Sequence, residues 1–143
     1  MKALALICAL APVAVQAQTL AETLAAAPEI TESAWREMTA GKTVVYQLFG
    51  MANGLEHYGS GQNVTFELED GSCLDGTWFM KGTAFCFDWP GEGLNCFRHR
   101  QVGDDIYVVG LNSGGVQLVD RIDNTPLSCG PALLSALEPE ARP

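Results

Sequence analysis

Positive charge is scarce in this chain. Lys and Arg total 8 against 17 Asp and Glu, a formal net charge of −9. A surface of that sign offers no basic footprint for the phosphates of nucleic acid, and anionic lipid does not attract it. Histidine is scarcer still, with only His57 and His99. A metal site built on them needs a third ligand, for which Glu56 or Asp88 is the available choice. No Cys-x-x-Cys or Cys-x-x-Cys-His occurs, so thioredoxin-like redox chemistry and covalent haem have no motif. No Gly-x-Ser-x-Gly elbow occurs either, and Ser60, Ser72, Ser113 and Ser128 all sit among turn residues. Acidic pairs such as Glu67/Glu69 and Asp70/Asp75 fall on strand faces or turns, where solvation is their ordinary role. The sequence therefore assigns no catalytic residue, no metal ligand and no cofactor.

One long apolar run is present, Ala3–Val15, between Lys2 and the small-residue ending Val15-Gln16-Ala17. It is too short to span a bilayer and reads as a secretory signal peptide over residues 1–17, cleaved near Ala17. Cys8 lies inside the run after Ala5-Leu6-Ile7, which is not where a lipid-modified cysteine sits. The expectation is a periplasmic or secreted protein without stable membrane insertion. Loss of Lys2 makes the remaining chain slightly more acidic. Cys73, Cys86, Cys96 and Cys129 would remain after cleavage, and in an oxidising compartment four cysteines predict two disulfides.

Residues 18–41 carry helix signals. Thr31 is a cap for a helix running to Ala40, Ile30 and Trp35 are spaced as a hydrophobic staple, and Gly41 is a stop. Pro28 separates this helix from Thr19–Ala27, an alanine-rich stretch that leaves helix and coil both open. From residue 42 to 129 the period switches to two. Strands are predicted at 43–49, 54–59, 63–69, 73–80, 83–89, 95–101, 105–111 and 115–122, joined by glycine-bearing turns. The fold class is mainly β: an N-terminal helix and an antiparallel meander of about eight strands. Such a meander forms a small lipocalin-like barrel or a sandwich, disulfide-bonded, with residues 130–143 as a tail.

The turn Trp89-Pro90-Gly91-Glu92-Gly93-Leu94 makes a hairpin of the strands on either side. With its tip at Gly91, Cys86 faces Cys96 and Phe85 faces Phe97. Facing Cα atoms lie about 4.5–5.5 Å apart, within disulfide reach. Cys73 is then left for Cys129. The segment GTWFMKGTAFCFDWPGEGLNCF followed by GDDIYVV carries a Gly-x-Trp, Cys-x-x-Trp, Cys, Gly-Asp pattern. It resembles a family of small exported bacterial proteins of unknown function over roughly residues 30–122. The resemblance implies the same β-meander fold and no functional residue.

Phe85, Phe87 and Trp89 share one strand face, with Phe97 opposite and Trp78 and Tyr107 nearby. These six form a plain core, or line a cavity for an apolar ligand if the barrel closes wide enough. His57 is expected in a short exposed strand and His99 on a polar face. Arg98 and Arg100 share a face with Cys96. They bind an anionic group or pair with acidic neighbours such as Asp75 or Asp88. The 90–94 turn exposes Glu92 and Leu94 beside Trp89 and is braced by the inferred Cys86–Cys96 bond. Trp89, Glu92, Leu94, Arg98 and Arg100 are thus the candidate binding residues. The function expected is an exported, non-catalytic binding module of the cell envelope, taking a small ligand or an envelope protein. The alternative is a periplasmic β-barrel protease inhibitor.

The cysteine reading has a direct test. The exported protein should contain no free thiol, and non-reducing peptide mapping should link Cys86 to Cys96. A Cys73–Cys86 bond would refute the strand register.

Overall fold

The chain is described by a computed structural model covering residues 19–48 and 51–129. The expected signal segment 1–17 and tail 130–143 lie outside the described residues. Thr19 opens helix α1 (Leu20–Ala26): its hydroxyl accepts from the Glu22 amide, and the Glu22 carboxylate accepts from the Thr19 amide. This capping box decides the stretch that composition had left open. Ala27, which precedes Pro28, is extended and ends the helix. Helix α2 (Glu32–Thr39) begins at the expected cap Thr31, and Ile30 and Trp35 are both buried in one core cluster.

Eight antiparallel strands follow: β1 (Thr43–Leu48), β2 (Met51–Tyr58), β3 (Asn63–Glu67), β4 (Cys73–Lys81), β5 (Ala84–Trp89), β6 (Gly93–Val102), β7 (Asp105–Gly110) and β8 (Val116–Asp123). Each pairs with the next and β1 also pairs with β8, so the sheet is a closed barrel rather than a sandwich. The β5–β6 hairpin has the expected register, with Phe85 opposite Phe97 and Cys86 opposite Cys96. Gly91 and Gly93 take φ of 88° and 86°, backbone that a side chain would strain, and so allow a turn this short. Disulfides join Cys86 to Cys96, Cα atoms 4.0 Å apart, and Cys73 to Cys129, 6.2 Å apart. The second bond fastens the segment after β8 to the start of β4. Glu67 helps it by accepting from both the amide and the hydroxyl of Ser128.

Strand direction alternates, so the barrel has two distinct ends. Helix α2 covers the end where β1, β3, β5 and β7 begin. There the buried Trp35 meets Tyr58, Phe85 and His99, with ring centroids 5.8, 6.1 and 4.4 Å away. Trp78 stacks on Phe85 from the wall at 5.9 Å. The opposite end carries the turns after β3, β5 and β7.

Two expectations are corrected here. Tyr107 lies outside the core cluster, because its neighbours Ile106 and Val108 take the inward positions of β7. His99 is not on a polar face. It stands opposite Val108 inside the barrel at 1% exposure, since β6 alternates Phe97 and His99 inward with Arg98 and Arg100 outward.

Trp35 fills the covered end, so its truncation leaves a large cavity. Trp35→Ala should cost about 3–5 kcal/mol, measured by urea denaturation followed by circular dichroism. A loss below about 1 kcal/mol would show the helix to be peripheral.

Candidate functional site

In β2, Gly54, Glu56 and Tyr58 are buried while Leu55 and His57 are only half-buried. That alternation points Glu56 into the barrel, opposite Val44 on one side and Phe66 on the other. Glu56 is 6% exposed. The Tyr46 hydroxyl donates to its Oε1 at 2.9 Å and the Tyr58 hydroxyl donates to the same oxygen at 2.5 Å. Oε2 has no partner among the described residues. Burial pushes the carboxyl up to about 7, and the two tyrosine hydrogen bonds, which favour the anion, oppose that rise only in part.

Oε2 belongs to a residue that lines a cavity of about 250 Å³ at the uncovered end of the barrel. Phe66, Leu74, Phe87, Trp89, Phe97 and Val108 form its apolar wall, and Tyr46, Glu56, Asn95, Gln117 and Glu92 add polar groups. Two inward positions behind its wall carry no side chain. A Cβ on Gly54 would lie 2.4 Å from the Phe66 ring, and one on Gly76 would lie 2.5 Å from the Trp89 indole. Trp89 and Phe66 therefore lean across the glycines, with centroids 6.2 Å apart, and Trp89 stacks on Phe87 at 6.1 Å. The Gly-x-Trp pattern acquires a physical role: Gly76 admits Trp89, and Trp78 packs below.

The five expected binding residues divide between two places. Trp89 and Glu92 line the mouth cavity, and Leu94, 45% exposed, follows them at the start of β6. Arg98 and Arg100 lie on the outer wall, where both pair with Glu29 at 2.7 and 3.0 Å. Their partner is thus Glu29, not Asp75 or Asp88. Residues 28–30 run along β6 beyond the reach of β5. There the Ile30 amide donates to the His99 carbonyl and the Gln101 amide to that of Pro28. Burial works against ionisation of Glu29. The Thr83 side chain and the two arginines outweigh it and hold the carboxyl below its ordinary range.

The histidines do not come together. His57 lies on the outer face, where its Nδ1 is 3.2 Å from the Thr43 hydroxyl. It borders a groove of about 600 Å³ beside residues 124–129. The Thr43 hydroxyl donates to the Thr125 carbonyl and fastens the segment after β8, while that of Thr65 donates to Asp75 across β3 and β4. His99 is inside, and neither ring nitrogen has a protein partner among the described residues. Burial alone drives its pKa down to about 3, so it packs as a neutral aromatic ring against Trp35 and Phe85. No three His, Cys, Asp or Glu side chains are grouped to hold a metal among the described residues.

Sequence reasoning named Glu56 only as a candidate third metal ligand and missed Tyr46 and Tyr58. The signal lay in the alternation of Gly54, Glu56 and Tyr58, but the sequence assigns the short strand at 54–59 no inner face.

Glu56 and His99 act oppositely on stability. Glu56 keeps its proton in the folded state between about pH 4.5 and 7 where the unfolded chain has lost it, so its contribution falls as pH rises. His99 stays neutral between about pH 3 and 6.5 where the unfolded chain is protonated, so its contribution falls as pH drops. The two nearly cancel between about pH 4.5 and 6.5. Glu56→Gln removes one of them, and the variant should lose about 1.4 kcal/mol more than wild type per pH unit of acidification in that window. Parallel pH–stability curves from chemical denaturation would contradict the burial of an ionisable Glu56.

Comparison with models of known families, with curated proteins and with solved structures returns no match.

Proposed function

We infer that this protein is a non-catalytic ligand-binding barrel of the cell envelope, and that its small ligand enters the mouth cavity beside the 90–94 turn. The observation that carries this reading is the Glu56 carboxyl, held at Oε1 by two tyrosines with Oε2 unpaired, on an aromatic-walled space of about 250 Å³. A barrel packed only for stability would fill that space with side chains, and a carboxyl set in an apolar wall costs folding energy. Ligand pockets combine an apolar wall with a few placed polar groups, and this cavity has that composition. The covered end is closed by α2, which leaves one direction of access. Rim residues Glu92 and Leu94 stand where an entering molecule would pass, on a hairpin held by the Cys86–Cys96 bond.

Export to the periplasm or medium agrees with the two disulfides and with the apolar run at residues 3–15. No helix among the described residues is long and apolar enough to cross a membrane. The protease-inhibitor alternative has less support. It requires an extended N-terminal segment to enter a protease cleft, and residues 20–26 and 32–39 are helical.

Purified from its own host and sprayed under native conditions, the protein should carry a small non-covalent adduct. Gln117→Trp, whose indole would occupy the cavity, should lose the adduct while keeping its melting temperature, and Glu92→Ala with Leu94→Ala should weaken retention. An empty wild-type protein, with a protein partner released by Arg98→Ala, would move the function to the outer strand face.

A further inference from the structure

We propose that the mouth cavity selects a small organic cation, an amine carried on a short apolar or aromatic body. The inference rests on the reading of this cavity as the binding site and adds the ligand's chemical class. The first observation is the charge inventory of the lining. It holds two carboxylates, Glu56 and Glu92, and no Lys, Arg or His. A carboxylate or phosphate ligand would bury its charge near Glu56 with no cation to meet it. A hydrocarbon would leave Oε2 unpaired and cut off from water. An ammonium group satisfies Oε2 and takes the place of the water that reaches it.

The second observation is the arrangement of the aromatic walls. Phe66, Phe87, Trp89 and Phe97 border the same space as Glu56. Aromatic faces around a carboxylate are the setting in which ring quadrupoles attract a cation, and desolvation strengthens that attraction. Tyr46 and Tyr58 both donate to Oε1 and so hold the carboxylate in one orientation, leaving Oε2 as the acceptor for the ligand. The volume sets the size. At about 250 Å³ the cavity falls just below the roughly 300–1,000 Å³ of pockets for drug-sized molecules, so its occupant is small.

The binding is linked to protons. Other titratable groups near Glu56 are Tyr46 on β1, Tyr58 on β2 and Glu92 at the rim. The facing positions on β3, β4, β7 and β8 are Phe66, Leu74, Val108 and Gln117, none of which titrates. On β6, Asn95 and Phe97 face the cavity, and His99 lies below them as a neutral ring. With the carboxyl pushed up to about 7, a cation entering below that pH displaces the Glu56 proton to solvent and leaves a carboxylate–ammonium pair. Affinity therefore rises by up to roughly tenfold per pH unit toward pH 7 and levels off above it.

Isothermal calorimetry on the disulfide-bonded protein with benzylammonium, benzyl alcohol and benzoate tests this. The three probes share an arene and differ in charge. Benzylammonium should bind at least roughly tenfold tighter than either of the others, and Glu56→Gln should erase the difference. Titrations near pH 6 in two buffers of different ionisation enthalpy should show close to one proton released per wild-type site, a readout independent of whether the variant folds. If benzoate or benzyl alcohol binds as well as benzylammonium and no proton is released, the cavity is a binding site and the cation assignment is wrong. If none of the three binds, the cavity reading falls and this inference with it.

Discussion

The pairing of β1 with β8 closes the sheet, and closure fixes how much interior the molecule has to fill. An eight-stranded barrel encloses a space that side chains can just fill or that one small ligand can share. The two ends of this barrel take the two options. At the covered end, Trp35 drops from α2 onto Tyr58, Phe85 and His99 and packs the interior with rings. At the other end, Gly54 and Gly76 withhold side chains from the wall, and the Phe66 and Trp89 rings occupy the ground they cede. The cavity is what remains between those rings and Gln117 on β8.

Closure also buries a carboxyl and an imidazole, with different outcomes. His99 has no partner for either nitrogen, so burial simply abolishes its charge and it serves as a ring. Glu56 is buried equally, but two tyrosine hydroxyls favour its anion and bring the balance close to neutrality. A group poised there changes charge state when a ligand of either sign arrives. The same burial that makes His99 inert makes Glu56 responsive, and the difference lies in the hydrogen bonds.

The parts outside the barrel secure it. Glu29 holds Arg98 and Arg100, and residues 28–30 complete the edge of β6 where β5 stops short. This seats the linker between α1 and α2 and so aims Trp35 into the covered end. On the other side the Cys73–Cys129 bond and the Glu67–Ser128 contacts fasten the segment that follows β8. Cys86–Cys96 closes only a ten-residue separation, within the β5–β6 hairpin that carries Trp89 and Glu92.

What the sequence determined was local. Period-two alternation gave all eight strands, the Trp89–Leu94 turn gave the hairpin register, and that register paired the cysteines, because each depends on residues close together in the chain. Even there boundaries moved: the weak strand at 54–59 lengthens to Met51–Tyr58, and Leu68 falls beyond the end of β3, which stops at Glu67. The candidate site was legible at its rim, through Trp89, Glu92 and Leu94, and in part of its wall, through Phe87 and Phe97. Its centre was not, because alternation gives two faces without saying which is inside. In Gly54–Tyr58 the choice went against the apolar Leu55 and for Glu56. Only the closed barrel decided that, by bringing Tyr46 from β1 and Phe66 from β3 across the Glu56 side of the strand. The same closure turned His99 inward, since a strand in a barrel must send alternate side chains to the interior whatever their polarity.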